Sequence, residues 1–231
     1  MAVQDYNPTR DIYFFSNNGN PTITSPNAPY EISLGQTRES MQDPEVYEAF
    51  VKNAISNFRH SETYTNYKGF LMSEGLDHCQ IHGNITSEMA PIEMHHNILT
   101  IFDIAVIITQ HLLNTMPYVT TFDVVMMLKR EHTSNHIPVI MMTETPHQEY
   151  HDDSGFWIDP HQCFSLWGFF EFLKEFYTGI TKGIAYKIIH YMDSANYNDT
   201  TTDNGLLEIR EQIINWSIYN DNTYYKGDPT L

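Results

Sequence analysis

The sequence contains very little cysteine. Cys79 and Cys163 are its two cysteines, which are too few for a disulfide framework and favour a reducing compartment. Long apolar runs are also missing, so the sequence offers no candidate for a membrane-spanning helix. The first residues, MAVQDYNPTRD, lack the charged start and the apolar core of a secretory signal peptide. We therefore expect a soluble protein without membrane partners that stays in the cytoplasm of the cell that makes it.

Positively charged residues are scarce as well. The chain has 12 Lys and Arg against 29 Asp and Glu, which gives a formal net charge of −17 with neutral histidines. Proteins that grip nucleic acid non-specifically concentrate Lys and Arg on one face, because neutralising phosphates supplies most of the affinity. The strongest local basic feature is the pair Lys129 and Arg130. We expect bulk repulsion from nucleic acid unless a bound metal or a partner protein reverses it locally.

The chain does contain clear patterns of arm, strand and helix. Residues 1–41 are rich in Asn, Pro, Ser and Thr and predict an extended arm. A helix is predicted to start at Pro44 with Asp43 as its N-cap, and its apolar positions are Val46, Phe50, Ile55 and Phe58. The remaining patterns predict strands at 63–73, 77–83 and 91–96, a short apolar run at 138–143, and helices at 99–113, 121–132, 164–177, 180–193 and 204–219.

Two groups of histidines are the candidates for a metal-binding or catalytic site. His95 and His96 end the strand predicted over 91–96, and His147 and His151 lie one turn apart on a predicted short helix. Residues at this helical spacing share a face and can offer two imidazole nitrogens to a metal. Adjacent strand residues point to opposite faces, so one histidine of the pair can face the metal while the other faces a substrate. A site with three imidazoles leaves open positions for a phosphate oxygen and water.

The sequence around these histidines resembles a known class of enzyme. The run IEMHHNILTIFDIAVII, followed later by NHIPVIMMTETPHQEYH, is similar to the HNH or His-Me finger nucleases, and especially to phage HNH-like proteins, over about residues 70–163. The resemblance implies a ββα-metal fold and metal-dependent cleavage of a phosphodiester bond. The flanking segments resemble no family.

The resemblance implies a role for each residue of the site. The residues that would hold one divalent ion (Mg, Mn, Ni or Zn) are His95, His147 and His151. His96 would act as the general base, and Asn135 would orient it. Because the spacing around Asn135 departs from the family pattern, Asn97 and Asn84 stay as alternatives. Glu93, on the strand leading to the pair, would bond a ligating histidine and fix its tautomer.

Two further groups have a weaker functional interpretation. Lys129 and Arg130 are the basic residues nearest to the motif, so we expect at least one of them on the rim of the metal cleft, where it would bind substrate. A Cys2His2 set is compatible with a second, structural zinc ion. Its members would be Cys79, His82, His161 and Cys163. The spacing of this set is not standard, and two buried thiols beside two ordinary histidines is the favoured interpretation.

The expected fold class is α+β and mostly α overall: a small ββα-metal core with inserted and C-terminal helices. We expect an N-terminal arm and helix at 1–60 and an HNH-like core with a two-helix insertion at 61–163. A helical region would follow at 164–219, and a tail at 220–231.

Three functions follow from these observations. The first is a metal-dependent endonuclease acting on nucleic acid, with DNA favoured, in the host cytoplasm if a phage encodes the chain. The second is a non-catalytic phage accessory or assembly protein that keeps the fold and binds a protein partner or a second copy of itself. The third is an acidic inhibitor that binds a basic host protein as a nucleic-acid mimic. The histidine pair favours the first function, whereas the acidic charge and the long arm favour the second.

Overall fold

The structure is a computed structural model that describes residues 35–146, 158–194 and 210–216. In chain order its elements are α1 (Pro44–Arg59), α2 (Glu62–Ser73), β1 (Glu93–His96), α3 (Ile101–Thr115), α4 (Thr121–Thr133), β2 (Val139–Met142), α5 (Gly168–Phe176), α6 (Lys182–Ser194) and α7 (210–216). Short 3-10 turns cover Ser40–Gln42, Pro160–Gln162 and Tyr177–Gly179. The mostly helical α+β class is therefore confirmed. Within the described residues, no helix has the length and apolar character needed to span a membrane.

The first helix begins where the sequence predicts. The side chain of Asp43 accepts a hydrogen bond from the backbone N–H of Glu45 at 2.9 Å, and Pro44 is the first helical residue. This cap satisfies one of the backbone donors that every helix leaves without an internal partner. Of the predicted apolar positions, Phe50 and Phe58 are among those buried in the core, whereas Val46 is 39% exposed.

The strand predicted at 63–73 is wrong, because this segment forms helix α2. The hydroxyl of Ser61 accepts a hydrogen bond from the N–H of Tyr64 at 3.3 Å and caps the helix. Tyr67 and Leu71, four positions apart, are the buried residues of α2, which is a helical rather than an alternating pattern. Thr, Tyr and Phe in this stretch favour strand locally, but packing against the core overrides that preference.

The segment at 77–83 is also not a strand. It forms turns fixed by an isolated bridge between His78 and Thr86 and by the N–H of Gln80, which donates to the carbonyl of Met141 at 2.8 Å. The sheet instead consists of β1 and β2, which pair antiparallel with His96 opposite Val139. The strand predicted over 91–96 is confirmed in its last four residues, and its partner comes from the apolar run at 138–143.

Helices α3 and α4 are confirmed and start with the same device. Thr100 and Thr120 each accept a hydrogen bond from the backbone of an aspartate three positions on, and Asp103 and Asp123 bond back to the N-cap residues. These reciprocal capping boxes fix where both helices begin. Helix α3 is buried on nearly every side, so it forms the centre on which α1, α4, α5 and the 3-10 turn at Tyr177–Gly179 pack.

The described residues share a single core, which runs from Met41 to Ile213. The helix predicted at 164–177 is confirmed from Gly168 to Phe176, and the one at 180–193 from Lys182 onward. For the helix predicted at 204–219, residues 210–216 are helical. Most of the predicted N-terminal arm and the predicted tail at 220–231 lie outside the described residues. The four regional boundaries given above stay a prediction.

Gly179 provides a direct test of how closely the turn at Tyr177–Gly179 approaches α3. A Cβ atom at this position would lie 1.9 Å from the carbonyl oxygen of Ile107, which no side chain can do. We predict that Gly179→Ala lowers the free energy of unfolding by about 1–3 kcal/mol, the usual cost of overpacking a core. Urea denaturation followed by circular dichroism would measure the change.

Gly69 is the matched control for this substitution. It lies inside α2, where an added Cβ would meet no atom within 4 Å. Gly69→Ala should therefore stabilise the protein by about 0.5–1 kcal/mol, because alanine loses less conformational freedom in a helix than glycine. Equal effects of the two substitutions would contradict the close approach of the turn to α3.

Candidate functional site: a buried histidine pair

The histidines His95 and His96 lie on β1, where they stand opposite Ile140 and Val139 of β2. Both are buried, with exposures of 5% and 6%. Because neighbouring strand residues point to opposite faces, the two rings lie in different surroundings. The ring of His96 faces helix α4, and there it meets a histidine that the sequence motif did not include.

That histidine is His132, near the end of α4. The Nε2 atoms of His96 and His132 are 2.9 Å apart, which is a hydrogen bond between two buried rings. The Nδ1 of His132 lies 2.7 Å from the carbonyl oxygen of Leu128. A carbonyl only accepts hydrogen bonds, so Nδ1 of His132 must carry the proton. In the neutral pair, Nε2 of His132 is then the acceptor and Nε2 of His96 is the donor.

Aromatic rings enclose the pair. The ring of Phe58 from α1 lies 4.6 Å from that of His132, and the ring of Tyr67 from α2 lies 5.6 Å from it, centroid to centroid. Burial lowers the pKa of His132 to about 4, although its hydrogen bond to Leu128 acts in the opposite direction. Burial also lowers the pKa of His96 well below its usual value, and positive charge on His132, His95 and Arg59 lowers it further. Both rings are therefore neutral at pH 7.

The role of His96 as general base stays a prediction, and the geometry limits how the ring could perform it. Its Nε2 holds the proton that it donates to His132, so the lone pair belongs to Nδ1 of a ring that is almost wholly buried. A base must lie within hydrogen-bond reach of the water that it deprotonates. The hydrogen bond between His96 and His132 joins β1 to α4, and aromatic rings from α1 and α2 pack beside it.

The remaining residues of the predicted metal site divide into two groups. His147 and His151 lie outside the described residues, so their convergence with His95 stays a prediction. Among residues 35–146, 158–194 and 210–216, no group of three or more His, Cys, Asp or Glu side chains is arranged to hold a metal ion. Glu93 is the first residue of β1 and stands opposite Met142, and its predicted bond to a ligating histidine stays a prediction.

Asn135 has a backbone role that accounts for its position. It adopts a left-handed conformation with φ of 57° directly after the end of α4, and its N–H donates to the carbonyl of His132 at 3.0 Å. Asparagine tolerates this conformation better than most residues and commonly ends helices. Its carbonyl also limits position 168, where a Cβ atom would lie 1.8 Å from the Asn135 oxygen. The orienting role for Asn135 stays a prediction.

The alternatives to Asn135 lie in different environments. Asn97 is buried beside the pair and donates from Nδ2 to the Sγ of Cys163 at 3.0 Å. Asn84 is exposed on the turn that follows His82. Whether either residue orients the base stays a prediction.

Of the basic pair Lys129 and Arg130, Arg130 is bonded to carboxylates. Arg130 donates from Nε to Glu131 at 2.5 Å and also bonds Glu175 of α5. Its guanidinium carbon lies 5.6 Å from the centre of the Phe176 ring. Two carboxylates thus neutralise Arg130 and tie α4 to α5. Lys129 is half-buried on the same helix, and its place on the rim of a metal cleft stays a prediction.

The four residues of the proposed zinc site are not brought together as a metal-binding group. Cys79 and His82 share one turn, with Sγ and Nδ1 3.9 Å apart. Burial alone would raise the pKa of the Cys79 thiol, but hydrogen bonds from Thr143 and His82 together lower it. Burial raises the pKa of Cys163 to about 11, so this side chain is a thiol at neutral pH. His161 is exposed on the turn at Pro160–Gln162.

Sequence reasoning missed His132 and Glu131. Both lie in the last turns of a helix that was predicted, and both are fully buried, although charged and imidazole side chains usually lie at the surface. The carboxylate of Glu131 also accepts from Nδ1 of His136 at 2.7 Å. A helical wheel would have shown that both lie next to the apolar stripe of α4, since Leu128 is three positions before Glu131 and four before His132. That signal indicates burial without naming a partner.

The histidine pair predicts a pH dependence of stability. The pKa of His132 falls from 6.5 to about 4 on folding, so the unfolded chain binds more protons than the folded protein between these pH values. The free energy of unfolding should therefore decrease as the pH falls from about 6.5 to 4, by at most about 1.4 kcal/mol per pH unit for each histidine. Denaturant unfolding across this range at constant ionic strength would measure the slope.

His132→Gln tests whether the pair causes this slope. Glutamine does not titrate, so the variant should lose the contribution of at least one histidine and show a shallower slope. The variant should also be less stable at pH 7, because a flexible amide replaces a ring that packs against Phe58 and bonds both His96 and the carbonyl of Leu128. His161→Gln, which changes an exposed histidine, should keep the slope of the wild type. An unchanged slope in His132→Gln would contradict the assignment.

The Glu131 network gives a second prediction. Glu131→Gln removes the charge that holds Arg130 and His136, and hydrogen bonds to charged groups are each worth about 1.5–3 kcal/mol. We predict a loss of about that size in the free energy of unfolding. Glu171→Gln, which removes a carboxylate from the exposed pair with Lys174, should change it by less than about 0.5 kcal/mol. Similar effects at both positions would show that the buried network stabilises the protein no more than an exposed ion pair does.

Comparison with known proteins identifies the family. The model of one protein family, described as Bacteriophage G278-like virion protein, matches residues 12–220. No curated protein and no solved structure matches the chain. The resemblance to HNH and His-Me nucleases is therefore wrong, and the interpretation as a metal-binding nuclease, which depended on that resemblance, is not supported. Because the match covers most of the sequence, the protein belongs to the family of Bacteriophage G278-like virion proteins.

Proposed function

We propose that the protein is a non-catalytic structural component of a phage particle, in which it contacts other proteins of the particle. The observation that carries the proposal is the family match over residues 12–220. The description of that family places its members in the virion and names no reaction. This function is the second of the three that the sequence left open.

The histidine pair supports a structural role. His96 bonds His132, and this hydrogen bond joins the sheet to the helices in a buried environment. A buried, hydrogen-bonded polar pair of this kind rigidifies a core and favours one arrangement of its elements. The same bond withholds Nε2 of His96 from a substrate. His96, part of the histidine motif that suggested a metal site, thus contributes to packing.

The charge supports protein partners over nucleic acid. With a net charge of −17, the protein repels phosphate backbones over most of its surface. The basic pair expected to reverse this locally is committed in part, because Arg130 bonds two carboxylates. Several large side chains are exposed, including Trp167 at 59% and Tyr186 at 76%. Tyrosine and tryptophan are enriched where proteins meet.

The proposal also changes the expected location. A protein made in the host cytoplasm would end in the assembled particle instead of acting as a free enzyme beside the host nucleic acid. The protein should then be present at a fixed ratio to the other proteins of the particle.

Purified particles test this proposal. Phage particles would be separated on a density gradient, and quantitative mass spectrometry would measure the protein in each fraction. We expect its amount to follow that of the major capsid protein at a constant ratio. A phage with the gene deleted should yield fewer complete particles, and wild-type protein supplied in trans should restore the yield.

Two results would contradict the proposal. The first is a protein that is abundant in infected cells but absent from purified particles. The second is metal-dependent plasmid cleavage by the purified wild type that His96→Ala abolishes without loss of folding. An early phage protein that stays outside the particle would serve as the control for contamination of the gradient.

A further inference from the structure

One helix face differs from the rest of this acidic protein. Residues 177–192, which cover the turn before α6 and most of α6, contain no Asp or Glu but contain two lysines and a histidine. Lys182, Tyr186 and His190 follow each other at intervals of four and are all exposed, so they lie along one side of the helix. We call this set the α6 stripe.

Tyr186 is the centre of the α6 stripe. It is 76% exposed, which is the largest exposure of any large apolar or aromatic side chain in the described residues. Ile184, Ala185 and Ile188 bury the opposite side of α6 in the core, so packing of the helix does not require a tyrosine at this position. A rigid aromatic side chain held out from a helix is the type of residue that becomes a hot spot when a partner covers it.

Lys182 lies at a position where a lysine does not stabilise the helix. It is the first residue of α6, and the first turn contains no acidic residue. The amino end of a helix carries partial positive charge, which disfavours a lysine there. Within residues 35–146, 158–194 and 210–216, Lys182 forms no ion pair, in contrast to Lys187, which reaches Asp103 at 3.3 Å. The charge of Lys182 is therefore available to a partner.

The opposite charge is concentrated at the other end of the described chain. Four exposed carboxylates lie within ten positions at the start of α1, with the partly exposed Val46 among them. We call this set the acidic face, and its carboxylates belong to Glu39, Asp43, Glu45 and Glu48. Arg38 and Lys52 border it, and Lys52 pairs with Glu48. The acidic face keeps a negative balance after these cations are counted.

We propose that the α6 stripe of one copy binds the acidic face of a second copy of this chain. The two surfaces match in charge, each includes an exposed apolar or aromatic side chain, and homo-oligomers are the commonest assemblies of soluble proteins. DNA fits the stripe less well, because a phosphate backbone needs a row of cations and the stripe presents one lysine. This inference rests on the proposed role in a particle, since a structural protein of a particle must contact neighbours.

The contact joins two different surfaces of the chain. It closes a symmetric dimer where both contacts form reciprocally, and it leads to rings or open chains where they do not. Purified wild-type protein should therefore show a weight-average mass that rises with concentration above that of the monomer, as measured by light scattering and sedimentation velocity. At about 1 M salt, where the Debye length is about 3 Å, the mass should return to that of the monomer.

Charge reversal tests the two surfaces directly. Lys182→Glu should leave the protein monomeric at concentrations where the wild type associates. Lys174→Glu changes the net charge by the same amount on α5, outside the stripe, and should associate as the wild type does. Glu45→Lys should also be monomeric alone, but its mixture with Lys182→Glu should associate, because the reversed charges complement each other. Circular dichroism would confirm that each variant is folded.

Three results would overturn the inference. A wild type that stays monomeric at every concentration would show that the two surfaces do not bind. Equal association of Lys182→Glu and Lys174→Glu would place any interface elsewhere. Binding of DNA by the wild type that Lys182→Glu abolishes, without self-association, would assign the stripe to nucleic acid. The presence of the protein in purified particles is measured separately, so failure here leaves the proposed location in the particle intact.

Discussion

The enclosure of α3 is the constraint on which the rest of the structure depends. Val106, Ile107 and Ile108 are consecutive and all fully buried, so neighbours must cover this helix in every direction. Close approach on one side requires a glycine, and Gly179 meets that need where its turn touches the carbonyl of Ile107. Enclosure also has a cost, because Gln110 is fully buried and neither atom of its amide has a hydrogen-bond partner in the described part of the chain.

The penalty for the unsatisfied amide of Gln110 can be compared with the stabilisation from apolar burial in this core. An unsatisfied buried amide destabilises a protein by about 1–3 kcal/mol, whereas each large aliphatic side chain that is fully buried contributes about 1.5–3 kcal/mol. Helix α3 buries seven large aliphatic side chains, of which Ile104 and Ile107 are examples. Apolar burial around α3 therefore exceeds the penalty of a single amide, and the helix stays central.

The histidine pair depends on the same packing. Helix α4 packs on α1 and α3, which fixes the position of His132, and β1 then meets it through His96. The bond of His132 to Leu128 settles the direction in which the proton between the two rings is donated. Two neutral histidines can bond only in this complementary way, since two donors facing each other would repel. The carbonyl of Leu128 on α4 thus determines that Nε2 of His96, on β1, carries the proton.

The sequence predicted the parts of this fold that are set locally. Caps are local, and for that reason Asp43 and Pro44 marked the start of α1 correctly. Helix α2 was missed because Thr, Tyr and Phe suggest a strand unless the capping bond of Ser61 to Tyr64 and the spacing of Tyr67 and Leu71 are given more weight.

The candidate site was harder to predict, since His96 and His132 are 36 positions apart. Two adjacent histidines are equally compatible with a metal site and with packing, and the sequence contains no signal for the contact that distinguishes them. The partner of His96 is decided by how α4 lies against β1, which is a property of the whole fold. A motif of this kind therefore identifies residues of interest but not their chemistry.

The distribution of charge sets the conditions under which two copies of this protein can approach each other. Copies that each carry −17 repel at a distance, but salt screens that repulsion beyond about 8 Å under physiological conditions. At contact distance, a surface without carboxylates approaches a carboxylate-rich one with less repulsion than an acidic surface does. The stretch 177–192 has this property, and the exposed start of α1 has the opposite one. Excess negative charge elsewhere then disfavours pairings between two acidic surfaces, and this helps the proposed contact to compete with them.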